Sequence, residues 1–147
     1  MAQTSTYLNF PRDTEDAFNF YKSVFGGDFL EGKIHRFGEI PAQEGMPPMP
    51  EADKNLVMHV ALPILGGHLL MGTDAPESMG FTVNKGNNVY ISLHPDSKKH
   101  ADELFAKLSD GGKVEMPMQD MFWGDYFGSF EDKFGVRWMV NFHQQPA

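Results

Sequence analysis

Six histidines, no cysteine and one serine of interest make up the side chains from which this chain could build chemistry. The histidines form no close-spaced pair, so no imidazole metal motif is written into the sequence. His94 precedes Pro95 at a strand end. An imidazole there could serve as a general base, because its ordinary pKa lies near neutrality; the competing reading is a surface histidine beside a turn. His59 lies in Val57-Met58-His59-Val60-Ala61, where it is either a core histidine with a partner or a polar group in a cavity. Ser92 lacks the G-x-S-x-G setting that exposes a serine nucleophile. Asp13 with Asp16 reads as a helix cap and Glu131-Asp132 as a turn, so neither pair suggests acid/base work. The absence of cysteine excludes a thiol nucleophile, a zinc finger, an iron–sulfur site and a disulfide framework.

The elements that must position these groups follow from periodicity. Tyr7-Leu8-Asn9-Phe10 alternates as a strand and stops at Pro11. Asp13 and Asp16 read as an N-cap and a weak capping box for a helix whose stripe is Ala17, Phe18, Tyr21, Val24 and Phe25. Gly26-Gly27 ends it. Strand-like runs follow at 29–40, 56–65 and 68–73, the last two joined by a tight turn at Gly66-Gly67. Between the first two, residues 41–54 carry four prolines with Met46 and Met49, a loop long enough to cover something. The second half begins again: a strand over 89–94, then Asp96 as the cap of a helix with Ala101, Leu104, Phe105 and Leu108 at i, i+3, i+4 and i+7. Gly111-Gly112 stops that helix, and strands follow at 113–118, 126–130 and 136–142. The same order of elements occurs twice, and such a repeat outranks any single motif. The reading is α+β, with two βαβββ modules at 1–80 and 86–147 and a boundary within 75–88, where Pro76, Gly80 and Gly86 break the periodicity.

Hydrophobic residues at 41% and charged residues at 22% describe a globular chain able to bury a core. Twenty acidic against twelve basic residues give a net charge of −8, with no basic cluster beyond Lys98-Lys99. A protein that grips a phosphate backbone needs concentrated positive charge, so no nucleic-acid partner is expected. Residues 1–9 lack the charged start and apolar run of a secretory signal, and the longest apolar stretch, 56–65, is too short to span a bilayer. The expected setting is cytoplasmic, with no membrane partner.

Two βαβββ modules in a chain of this length resemble the vicinal oxygen chelate superfamily of glyoxalases, bleomycin-resistance proteins and extradiol dioxygenases. Phe20-Tyr21-Lys22-Ser23-Val24-Phe25-Gly26-Gly27 is similar to that family's first helix and its glycine stop. Phe122-Trp123-Gly124-Asp125-Tyr126-Phe127-Gly128, followed by Asp132-Lys133-Phe134-Gly135-Val136-Arg137-Trp138, resembles its PhnB-like branch. The resemblance implies half-cup sheets that pair to enclose a cavity, and a homodimer, with modules exchanged between subunits as one arrangement. PhnB-like proteins often bear a demethylubiquinone methyltransferase label. That label does not suit this sequence, which has no G-x-G-x-G stretch to hold an adenosyl cofactor.

Family enzymes hold a divalent ion with His or Glu on the first and last strands of each module. By alternation those places fall here at or near Ser5, Met71, Tyr90 and Met139, none of them a usual ligand for a hard ion. The resemblance therefore implies a small-molecule binding protein with no metal and no cofactor. A different ligand set from His59, His68, His94 and Glu39 stays open, as do two rivals: a metal-dependent lyase, isomerase or dioxygenase, and a structural or regulatory dimer without ligand. The expected polar groups of the site are Tyr7, Asn9, Tyr90, Ser92, His94 and Asn141. Met71, Met139, Phe122 and Trp123 would form an apolar wall, with the Met46–Met49 loop as a lid. These placements rest on register, because a slip of one residue sends every such side chain to the opposite face. Met116, Met118, Met121, Tyr126 and Phe127 crowd the same segment as Phe122 and Trp123, either as wall or as packing.

Overall fold

The alternation along the first strand is physical. In β1 (Thr6–Phe10), Phe10 is buried and Leu8 half-buried, while Tyr7 and Asn9 stay exposed. The computed structural model describes residues 2–41, 44–45 and 47–144, and the chain divides into two compact units, Met1–Val83 and Asn84–Ala147. In the first, β1 is followed by α1 (Thr14–Phe25), β2 (His35–Arg36), β3 (Val57–Pro63) and β4 (Leu69–Asp74). The sheet order is β1-β4-β3-β2, with β1 parallel to β4 and the other neighbours antiparallel. The second unit runs β5 (Ile91–Leu93), α2 (Lys98–Ser109), β6 (Lys113–Asp120), β7 (Asp125–Glu131) and β8 (Arg137–His143). Its order is β5-β8-β7-β6, again with one parallel pair. The fold is α+β, and the βαβββ order occurs twice.

Each helix buries the stripe its spacing prescribes. Ala17, Phe18 and Tyr21 of α1 are fully buried, as are Ala101 and Leu108 of α2, with Leu104 close behind. Both helices approach a strand glycine. A Cβ on Gly72 of β4 would come within 2.5 Å of Phe18 Cε1, and one on Gly128 of β7 within 2.8 Å of Phe105 Cε2. Phe105 also meets Phe130 edge-on, at 5.0 Å between centroids. These contacts fix which face of each sheet is core. Leu70, Gly72 and Asp74 turn to α1, and Gly128, Phe130, Trp138 and Val140 turn to α2. Residues of opposite parity form the far face.

Three local expectations are corrected. Asp13 occupies the cap position of α1 but makes no capping hydrogen bond. The carboxylate of buried Asp74 accepts from Thr14 N at 3.1 Å instead, and from Val57 N at 2.8 Å. The donor is thus satisfied from the sheet rather than locally. On α2 the cap is Ser97 and not Asp96; its hydroxyl oxygen accepts from His100 N at 3.0 Å. The run over 29–40 is a strand only at His35–Arg36. Left-handed backbone at Glu31 (φ 62°) and Gly32 (φ 66°) turns the chain before it, and the Glu39 carboxylate captures Arg36 N at 2.6 Å after it. Side-chain acceptors take backbone donors that a ladder would need. The Gly66-Gly67 hairpin forms as read, with φ of 68° and 80°.

One network ties the 50–55 loop to the end of β1. Asp53, 2% exposed, accepts from Ser78 Oγ at 2.7 Å and from Arg12 Nη1 at 3.1 Å, and Arg12 also pairs with Glu77. The Ser78 hydroxyl, and with it the Arg12 guanidinium, hold the Asp53 carboxyl below its ordinary 3.8. A depressed folded-state pKa contributes stability above the unfolded value, and that stability is lost as pH falls through the folded one. Asp53→Asn should therefore melt below the parent at neutral pH, with the gap closing once the pH is taken below 3.8. Melting curves across that range test it, and a gap independent of pH refutes it.

Candidate functional site

The far face of the first sheet is a row of rings over short side chains. Tyr7 on β1 pairs with Met71 on β4, which pairs with Ala61 on β3. Two residues before Ala61, His59 faces the same way and is the cross-strand partner of His35. The Tyr7 and His59 rings stack at 5.9 Å and 26°, and His59 meets His35 at 6.5 Å and 35°. His35 is anchored by the Glu31 carboxylate at 2.7 Å, and His68, at the start of β4, by Thr6 Oγ1 at 2.8 Å. Asn9 lies one step along this face, beside Thr73.

The far face of the second sheet is more polar and is paired within itself. Ser92 on β5 aligns with Met139 on β8, and Met139 with Ser129 on β7. The Ser92 hydroxyl lies 3.2 Å from His94 Nε2. The Tyr90 hydroxyl donates to Glu115, which also accepts from Arg137 Nη1 at 2.6 Å. At the other end Asp125 accepts from Asn141 Nδ2 at 3.1 Å and joins His143 Nδ1 at 2.6 Å. These hydrogen bonds hold the Asp125 carboxyl below its usual range, that of His143 most strongly.

The structure therefore places Tyr7, Asn9 and Met71 on one far face. It places Ser92, Met139 and Asn141 on the other, with Tyr90 and His94 at the ends of β5. Phe122 and Trp123 stand elsewhere, at the β6–β7 turn. They pack edge-on at 4.8 Å, with Phe122 97% exposed. The crowded segment splits between the two faces, because the β6 ladder shifts register between Met116 and Gln119. Met116 and Phe127 share rows with Ser129 and Asn141, whereas Met118 lies against the Gly128 side that faces α2. Tyr126 donates to Asp102 of α2 at 2.6 Å under the Lys98 ammonium. That bond and burial push its phenol up to about 12. Met46 of the expected lid lies outside the described residues; Met49 is half-buried. Glu115, Arg137, Asp125 and His143 were not singled out as site residues by sequence reasoning, although Arg137 and His143 continue the Met139–Asn141 alternation.

A divalent ion of the family type finds no matching donors at the four expected places. Ser5 offers a hydroxyl, Met71 and Met139 offer thioethers, and the Tyr90 phenol is spent on Glu115. Among the described residues no three His, Asp or Glu side chains converge. The substitute set is dispersed as well: Glu39 is taken by Lys33 and Arg36 N, and His68 by Thr6.

This doubled sheet arrangement has a known counterpart, and the model of the glyoxalase/bleomycin resistance protein/dioxygenase superfamily matches residues 6–140. The chain belongs to that superfamily. Within it, the chain is 32% identical to protein YjdN of Escherichia coli K12, over 97% of both chains. Among solved structures, protein PA1353 from Pseudomonas aeruginosa is 34% identical, covering 99% of this chain and 100% of its own, with a TM-score of 0.81. The PhnB protein from Bacillus cereus is 25% identical over 96% and 99%, with a TM-score of 0.71. The chain is thus a PhnB-like and YjdN-like member of the superfamily, as the glycine-stopped first helix and the Phe122–Trp138 segment imply.

Proposed function

We propose that this protein binds a small organic molecule against the far faces of its sheets, without a metal ion. One observation carries the reading: the face of each sheet opposite its helix mixes rings and methionine with a few polar groups. Met71 lies between Tyr7 and Ala61 on one, and Met139 between Ser92 and Ser129 on the other. A sparse set of polar groups on an apolar surface is how small-molecule sites generally gain specificity. Tyr90, His94 and Asn141 supply polar groups beside Met139, and Phe122 with Trp123 an exposed aromatic tip.

The methyltransferase description of the Bacillus cereus protein does not suit this chain. Each sheet here has one parallel and two antiparallel pairings, and no glycine-rich loop suited to an adenosyl cofactor joins a strand to a helix. The reading includes a homodimer, because β6 is an eight-residue edge strand with unpaired backbone groups on one side. It also places the protein in the cytoplasm, where a chain without cysteine needs no disulfide. No helix among the described residues is long and apolar enough to cross a membrane.

Thermal melting against a panel of small cyclic and acyclic compounds, with and without chelator, tests the proposal. A ligand at a hundred times its Kd adds about 2.7 kcal/mol, which raises the melting temperature of a chain this size by roughly 5–10 °C. At least one compound should do this equally in chelator. No shift with any compound, or a shift that needs added divalent ion, overturns the reading. Sedimentation at micromolar concentration tests the dimer, and a monomer there refutes it.

A further inference from the structure

The two far faces differ in one respect that decides where a ligand is recognised. On the second sheet the expected polar groups are already paired: Tyr90 with Glu115, Ser92 with His94, Asn141 with Asp125. On the first, the Tyr7 hydroxyl, the Asn9 amide and the His59 imidazole make no hydrogen bond to another described residue. His59 is singular among the histidines. His35, His68, His94, His100 and His143 each have a partner, in Glu31, Thr6, Ser92, Asp96 N and Asp125. His59 is nonetheless half-buried and held between two rings. Its ring nitrogens are not sealed from solvent, so they stay open to an incoming hydrogen-bond partner.

We propose that His59, Tyr7 and Asn9 form a recognition ledge for a flat, hydroxylated ring that carries no negative charge. The inference rests on the small-molecule reading above and names the ligand class and the sheet. Flatness follows from the surface. The Tyr7 and His59 ring planes run within 26° of parallel, and Met71 beside Ala61 offers a thin apolar floor against which a flat ring can lie. The hydroxyl follows from the free groups. An imidazole nitrogen accepts an O–H or donates to its oxygen, and the Tyr7 phenol and Asn9 amide can take the complementary role. The lack of negative charge follows from the surroundings. The chain carries −8 overall, and the Glu31 carboxylate stands next to His35 on this same row, so an anion gains little here.

The probe is 2-naphthol, with 2-decalol as a saturated control of similar size. On the unaltered protein, nuclear magnetic resonance should show the His59, His35 and Tyr7 ring signals moving with 2-naphthol, while His94 and His143 stay still. 2-Decalol should bind at least about tenfold more weakly. His59→Phe keeps a ring and removes the hydrogen bond, and should weaken 2-naphthol about tenfold. Tyr7→Phe should weaken it less, and Lys107→Gln, at an exposed position of α2, should leave it unchanged. Equal binding of 2-decalol, or 2-naphthol shifts confined to residues 84–147, overturns the ledge. A different compound from the melting panel that binds while sparing the His59 signals also overturns it, and leaves the small-molecule reading standing. If no compound of the panel binds at all, both fall.

Discussion

Asp132→Ala is expected to destabilise the protein by roughly 3–5 kcal/mol, the largest effect of any single polar truncation considered. Asp132 is 3% exposed at the β7–β8 turn, and its carboxylate accepts from two backbone amides and an indole. Oδ1 accepts from Phe134 N at 2.8 Å and Val136 N at 3.0 Å, and Oδ2 from the indole Nε1 of Trp138 at 2.8 Å. Trp138 is fully buried, so its indole N–H cannot turn to water once the acceptor is gone. Each stranded donor costs about 1–3 kcal/mol, which translates into a melting temperature lower by roughly 10 °C. Asp132→Asn keeps an acceptor oxygen and should lose less. Trp138→Phe should cost less in the Asp132→Ala background than in the parent, because there it removes a donor already orphaned. Urea unfolding of these variants measures all three, and an Asp132→Ala protein within 1 kcal/mol of the parent would contradict the account.

Gly112→Ala should be nearly as damaging, and more so than Gly111→Ala, although only Gly111 has left-handed backbone (φ 78°). At Gly111 a Cβ would meet nothing closer than the flexible Lys133 side chain, at 3.3 Å. The cost is then the backbone strain alone, about 1 kcal/mol. At Gly112 the Cβ would overlap the Glu131 carbonyl oxygen and stand 2.9 Å from the Asp132 backbone. Neither can yield, because Glu131 is held in the ladder opposite Lys113 and Arg137. A backbone clash of this kind costs about 3 kcal/mol or more. Comparing the two variants by urea unfolding tests the ranking, and an equal or greater loss at Gly111 overturns it.

Much of the fold was legible because its signals are local. Period-two alternation in 7–10 and 136–142, helical stripes ended by glycine pairs, and the recurrence of that order required no knowledge of distant contacts. Parity also carried through. Tyr7 and Asn9 lie opposite Leu8 and Phe10, and Met139 and Asn141 opposite Trp138 and Val140, because the helix-facing strands alternate cleanly. The sequence misled where a side chain from afar did the work. Asp74 caps α1 across 60 residues, so the plausible local cap Asp13 is idle. Over 29–40 the residue types suit a strand, yet Glu31 and Glu39 turn the chain out of it.

The sequence by itself determined the α+β class, the doubled module and the faces on which the residues of β1 and β8 stand, since these depend on spacing along one chain; the bulged β6 escapes that rule. By resemblance the sequence also set the expectation that Ser5, Met71, Tyr90 and Met139 stand where the family's metal ligands would be. Which polar groups are already satisfied was decided only by the tertiary structure. Hydrogen-bond pairing depends on residues brought together from distant strands: Tyr90 with Glu115, Asn141 with Asp125, His35 beside His59. That pairing leaves His59 uncommitted, a histidine whose sequence neighbours allow a core place and a cavity place equally well.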